Sequence, residues 1–181
     1  TILLVPTGEG VGLTSACLGL IYALECQGVK AGFVKPFSQE ITDTADRTTA
    51  LYRHISNAKT VEPISYNAMM QRLSHGEQDE LLEDAVRLHR EIARNHDLII
   101  VEGVVPNGRD SFVDELNASL AQALDAKVVI VSNADIRHPV QTAEKVENQI
   151  RNFGGASSTR LSSILFMRTK GLPEESAQIP V

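Results

Sequence analysis

Residues 3–15, LLVPTGEGVGLTS, carry an apolar run straight into a glycine-rich turn that ends on hydroxyl side chains. That order of residue types suits phosphate chemistry. Successive backbone N–H groups curl around phosphate oxygens, a lysine reaches the outer phosphates, and the next Ser or Thr hydroxyl holds Mg²⁺. Gly8, Gly10 and Gly12 supply the flexible backbone, and Thr14 followed by Ser15 supplies the hydroxyls. Two positions depart from a phosphate-binding loop: Leu13 stands where the lysine belongs, and Thr7 where its first glycine belongs. Backbone amides alone can still hold an anion, but they supply only part of the charge stabilisation that phosphoryl transfer requires. The alternative is a tight strand-to-helix turn and nothing more.

Three charged residues fall where chain reversals would bring them to the same edge. Glu102 ends the apolar run Leu98–Val101, the place where nucleotide-binding sheets put the acid that orients Mg²⁺ or its water. Gly103 behind it would let the next loop pass close to a ligand. Lys35 ends a second apolar run, before Pro36, and could supply the positive charge that Leu13 does not, or pair with a local carboxylate. Asp46 opens a helical stretch, read first as its N-cap and second as a metal-facing carboxylate. His54, His75, His89, His96 and His138 are scattered without ligand spacing, and no serine lies in a Gly-x-Ser-x-Gly frame. Nucleophilic catalysis has no support.

The elements that must position these residues alternate between short β-branched runs and longer amphipathic stretches, the pattern of an α/β fold with a mainly parallel sheet. Strands are expected at 2–5, 31–35, 98–101, 127–131 and 164–167, with the third at the centre of the sheet because it is apolar on both faces. Helices are expected at 13–27 closed by Gly28, 46–55, 66–95 with a break at Ser74-His75-Gly76, 111–124, and 139–153 ended by Gly154-Gly155. The helices between 46 and 95 read as peripheral.

With 181 residues, 43% of them hydrophobic, the chain suits one domain spanning residues 1–181. A net charge of −6 argues against nucleic acid or an anionic membrane as partner. No apolar run reaches the ~18 residues of a membrane span, and no signal peptide is evident, so the cytoplasm is the expected compartment. Cys17 and Cys26 read as core residues of the first helix. The start at Thr1 and the strand-like Ile179-Pro180-Val181 suggest a piece of a longer chain.

PTGEGVGLTS at Pro6, VKPFSQ at Val34, DRTT at Asp46, ISYN at Ile64 and DLIIVEGVVP at Asp97 together resemble the amino-terminal domain of the long bacterial phosphate acetyltransferases. The likeness continues through LNASLAQALDAKVVIV at Leu116 and RNFGGA at Arg151, and that family's loop also carries leucine where the lysine is absent here. The resemblance implies a P-loop NTPase-like, three-layer α/β/α fold of five or more strands. That domain is similar in turn to dethiobiotin synthetase and the cobyrinic acid amidating enzymes. In those enzymes Thr14, Asp46 and Glu102 match the Mg²⁺-associated positions and Lys35 matches a strand-two lysine, whereas Leu13 and Met167 depart from the phosphate lysine and the base-reading asparagine. Partition ATPases are a poorer match, with two loop lysines that Gly8 and Leu13 lack. The family's reaction is acetyl-CoA plus phosphate to acetyl phosphate plus CoA, in acetate metabolism, with the chemistry in a carboxyl-terminal domain. For this chain the resemblance implies no catalytic residues. It implies a regulatory and oligomer-stabilising role through Gly8, Gly10, Gly12, Thr14, Ser15, Lys35 and Glu102. Candidate ligands are Mg²⁺ with a nucleotide, NADH or pyruvate, and the expected partners are the acetyltransferase domain and further copies of the chain. An ATP-dependent ligase and a pure assembly module are the alternatives.

Overall fold

The computed structural model describes residues 1–41, 45–56, 60–106, 112–135 and 137–170, with the side chains of 169 and 170 outside that description. Five parallel strands, β1 (Ile2–Pro6), β2 (Ala31–Val34), β3 (Leu98–Glu102), β4 (Lys127–Asp135) and β5 (Leu161–Lys170), form one sheet in the order β2-β3-β1-β4-β5. β3 is interior, as its double-sided apolar sequence requires, but the median strand is β1. This puts the glycine-rich turn at the middle of the sheet's carboxyl edge, next to the end of β3.

Alternation along the strands divides the core in two. Leu4, Phe33, Ile100, Val129 and Val131 face α1 (Leu13–Cys26), which contributes Leu13, Ala16, Cys17 and Ile21, and α2 (Arg47–Ser56), which contributes Tyr52. Leu3, Val5, Val34, Ile99, Val101, Val128 and Ile130 face the other layer, built from α3 (Tyr66–His75), α4 (Gln78–Ala93), α5 (Phe112–Ala123) and the end of α6 (Pro139–Asn152). The helices between 46 and 95 are therefore not peripheral. Leu81, Ala85 and Ile92 of α4 are buried, and α4 lies so close to β2 that a Cβ on Gly32 would come within 2.7 Å of Ile92. The α4 sequence looks polar because Asp79, Glu80, Glu83, Arg87 and Arg90 are exposed between its inward residues, which hides the apolar stripe from a linear reading.

The break at 74–76 is present, with Ser65 capping α3 through the Ala68 N–H and Gly76 closing it at φ 75°. Gly28, at φ 80°, terminates α1, its N–H bonded to the Glu25 carbonyl. Only one cysteine is in the core: Cys17 is buried, and Cys26 is exposed in the helix's last turn. β4 and β5 run longer than their apolar cores because they pair with one another as far as Asp135 and Lys170. Ser111, expected to open a helix, and residues 179–181, expected to open a strand, lie outside the described residues.

The tip of β3 is held by a buried amide. Asn117 of α5 is fully buried, accepts from the Val104 N–H at 2.9 Å and donates to the Val104 carbonyl at 2.8 Å. A Cβ on Gly103 would meet the Leu4 carbonyl at 2.8 Å and Asn117 Oδ1 at 2.9 Å. Gly103 thus serves close packing of β3 on β1 and α5, not close approach of a ligand. Asn117→Ala strands both backbone groups, at an expected cost of about 3 kcal/mol in chemical denaturation, with faster amide exchange at Val104 as the local readout.

Candidate functional site

Gly12, at φ 93°, is the N-cap of α1 and offers no side-chain acceptor, so the first amides of the helix carry no capping bond. Gly10, at φ 67°, also needs the left-handed region, whereas Gly8 does not. Thr7 hydrogen-bonds Ser132 within β4, and Met167 of β5 packs 3.6 Å from where a Cβ on Gly12 would lie. The loop is thereby closed from behind by an apolar side chain. Above it opens a crevice of about 440 Å³ lined by Gly8, Gly10, Val11, Gly12, Leu13, Thr14 and Ser15 on one wall. Arg47, Thr48 and Leu51 of α2, Val105 and Arg168 line the others. Leu13 turns into the core, 5% exposed, among Val11, Ile21 and Leu4. A lysine there would have to leave that cluster to reach a ligand.

Beneath the crevice lies a polar network that joins the ends of β2, α2 and β3. Lys35 Nζ is 2.9 Å from Asp46 Oδ2 and 3.3 Å from Glu102 Oε1, and all three residues are buried. Thr48 connects this pairing to the loop, donating to Glu102 Oε1 at 3.2 Å and sharing a 3.2 Å hydroxyl contact with Thr14. Asp46 takes the first role considered from sequence, the helix cap, while its second oxygen faces Lys35 and not a metal position. Its Oδ1 caps α2 by accepting the Thr49 N–H at 2.9 Å, while Oδ2 faces Lys35 and accepts from Ser38. Gln39 bonds both backbone groups of Val105, fixing the loop after β2 to the loop after β3.

Burial disfavours charge on every member, but the outcomes differ. For Lys35, the two carboxylates outweigh burial and raise its pKa above the ordinary lysine value. For Asp46, bonds from Lys35 and Thr49 outweigh burial and hold it below the usual carboxylate range. For Glu102, burial prevails over the pull of Lys35 and pushes the pKa up. The Cys17 thiol, fully buried, is raised well above its ordinary value, first by burial and then by the charge of Glu102.

Thr14, Asp46 and Glu102 do converge, but as arranged they do not fit Mg²⁺. That ion demands near-octahedral oxygen ligation at about 2.0–2.1 Å. Both Asp46 oxygens are spent on the helix cap, Ser38 and Lys35, Glu102 Oε1 on Lys35 and Thr48, and Thr14 on Thr48. One buried oxygen, Glu102 Oε2, has no partner among the described residues, and neither carboxylate lines the crevice. Lys35 likewise does not lend its charge to the loop, because it is committed to the acids. Sequence reasoning missed Thr48 and Ser38, the hydroxyls that complete the network, although both sit inside the motifs DRTT and VKPFSQ. It also missed Arg47 and Arg168, which line the crevice and have no ion-pair partner among the described residues. The five histidines lie outside it. A larger depression of about 1270 Å³ runs along α4 past Asp79, Arg87 and Arg94, on the sheet's other side.

A family model described as an AAA domain matches residues 1–169. The chain belongs to that AAA domain family. It is 64% identical over 181 residues to a phosphate acetyltransferase of Acinetobacter baylyi, and 35% and 33% identical to those of Haemophilus influenzae and Escherichia coli over 180 residues. These alignments span 98–100% of this chain and a quarter of each relative's length. The resemblance drawn from the motifs is thus upheld along the whole chain. Among solved structures, chloroplast FtsY from Physcomitrella patens superposes with a TM-score of 0.57 at 13% identity, covering 85% of this chain and 46% of that one. The Aeropyrum pernix signal recognition particle 54 kDa protein, in complex with GDP, gives 0.57 at 17%, covering 90% and 34%. Those likenesses establish the P-loop NTPase-like α/β/α fold. No helix among the described residues is long and apolar enough to cross a membrane.

Asp46→Asn keeps an oxygen for the helix cap but removes the charge facing Lys35, at an expected cost of about 3 kcal/mol near neutral pH. Because folding lowers the Asp46 pKa, its contribution is full above the ordinary carboxylate value and fades as pH falls through the lowered one. The gap in thermal stability between wild type and variant should therefore be widest near neutrality and close on acidification.

Proposed function

We propose that this domain is a non-catalytic regulatory and assembly module of a phosphate acetyltransferase, within one longer polypeptide that carries the interconversion of acetyl-CoA and phosphate with acetyl phosphate and CoA in its remaining part. The observation that carries the reading is the crevice itself. It keeps the loop, the uncapped helix start and a volume in the range of small-molecule sites, while Leu13 is sequestered in the core. Such a site can bind an anionic effector and lacks the charge that a transferring phosphoryl group requires. Identity to named phosphate acetyltransferases along the whole chain supports the parent activity. The ligase alternative is disfavoured by Leu13. The effector is a small anionic metabolite, with nucleotides, NADH and pyruvate as candidates, bound at Gly8, Gly10, Gly12, Thr14 and Ser15.

The partner is the acetyltransferase part of the same polypeptide. β5 is one of the sheet's two edge strands among the described residues, and its Ile164, Leu165 and Phe166 are 38%, 37% and 44% exposed, which suits covering by the rest of a chain four times this length. Assembly into homo-oligomers and a place in the cytoplasm complete the reading.

Gly10→Val forces a β-branched residue into the left-handed region and aims its side chain at the crevice. In the full-length enzyme the variant is expected to shift the effector midpoint about tenfold or more while basal acetyl transfer holds, since an effector acts only through its differential affinity. Mg²⁺-dependent ATP hydrolysis should stay at background. Unchanged dose-response curves in a folded variant would remove the crevice from regulation, and ATP turnover of enzymatic strength would favour the ligase.

A further inference from the structure

The crevice and the acid pair beneath it form two layers of opposite sign. Among the described residues, those lining the crevice include Arg47 and Arg168 and no carboxylate. Thr14 and Thr48 floor it, and below them Asp46 and Glu102 close on Lys35. A divalent ion bridging those two acids would need the very space that the ammonium fills at 2.9 and 3.3 Å. In this arrangement the ammonium and a metal ion cannot share that space. On the crevice side, Arg168 is held with φ 49°, a backbone region that non-glycine residues adopt sparingly, and its Nε lies 3.9 Å from where a Cβ on Gly12 would be. Arg47 enters from the opposite wall as the first residue of α2.

We propose that the Lys35 ammonium is a built-in replacement for the divalent cation, so that the crevice accepts a phosphate-bearing ligand in its metal-free form, with Arg47 and Arg168 supplying the countercharge that Leu13 and a metal ion do not. The inference rests on the crevice being a ligand site, as argued above, and specifies what that site takes. Guanidinium groups suit the task because their fork of N–H donors matches phosphate oxygens without a bridging metal. Chelation by Mg²⁺ turns from a requirement into a competitor, since the complexed phosphate presents less charge to the arginines.

Inorganic pyrophosphate is the probe, titrated calorimetrically into the full-length protein in EDTA and again with excess Mg²⁺. Binding in EDTA that Mg²⁺ weakens is the expected result, with Arg47→Ala and Arg168→Ala each weakening it about tenfold, the value of one charge-assisted contact. Binding that appears only with Mg²⁺, or arginine variants that bind like wild type, would overturn the proposal. Absence of binding in both buffers would overturn it together with the crevice reading, which distinguishes the two failures. A second arm measures Mn²⁺ by electron paramagnetic resonance. Lys35→Met is expected to gain a bound Mn²⁺ that wild type lacks. Equal Mn²⁺ binding in the two proteins would contradict the replacement, and if Lys35→Met does not fold, the pyrophosphate titrations on wild type and the arginine variants decide.

Discussion

One buried ammonium organises the carboxyl edge of this sheet. Lys35 arrives directly after β2, Asp46 at the cap of α2 and Glu102 on the tip of β3, three segments distant in sequence that share no regular backbone pairing at this point except between β2 and β3. A charge removed from water is tolerated only when its partners are in place, so each member constrains the other two. Thr48 extends the constraint to Thr14 on α1, and the Asp46 cap extends it to the start of α2. The crevice above therefore has rigid walls because its foundation is ionic. The same commitment leaves Lys35 without charge to offer a ligand.

Loss of the loop lysine then reads as a coordinated change. Leu13 does not point an apolar tip at the phosphate position; it adds to the cluster of Val11, Ile21 and Leu4 beneath α1. Met167 does the same from β5, packing against Gly12. The positive charge lining the crevice belongs instead to Arg47 and Arg168. Under the proposed function, that arrangement suits binding without turnover, in a domain whose relatives are phosphate acetyltransferases four times its length.

Much of the fold was legible because strands and helices here announce themselves by period. The parallel α/β class, all five strands and the break before α4 follow from runs such as Leu98–Val101 and from Gly76. The role of α4 was not legible, because its inward stripe of Leu81, Ala85 and Ile92 is diluted by exposed charged neighbours. At the site, the convergence of Lys35, Asp46 and Glu102 was foreseeable from their strand-end and helix-start positions. Their mutual engagement was not, since a sequence shows which charges share an edge but not whether they face one another or a ligand. Thr48 and Ser38 were hidden for a simpler reason: a hydroxyl in a polar loop has no sequence signature until its acceptor is known. Arg168 was beyond reach, because its place over the loop depends on where a strand ends and on a left-handed backbone at that residue.

What lies between Asp46 and Glu102 decides the character of the site, and diffraction can look there directly. Crystals of the full-length protein grown with Mn²⁺ and measured at the manganese absorption edge should show no anomalous peak between the two carboxylates, with Lys35 Nζ within hydrogen-bond distance of both. A manganese peak ligated by Thr14, Asp46 and Glu102, with Lys35 displaced, would contradict it.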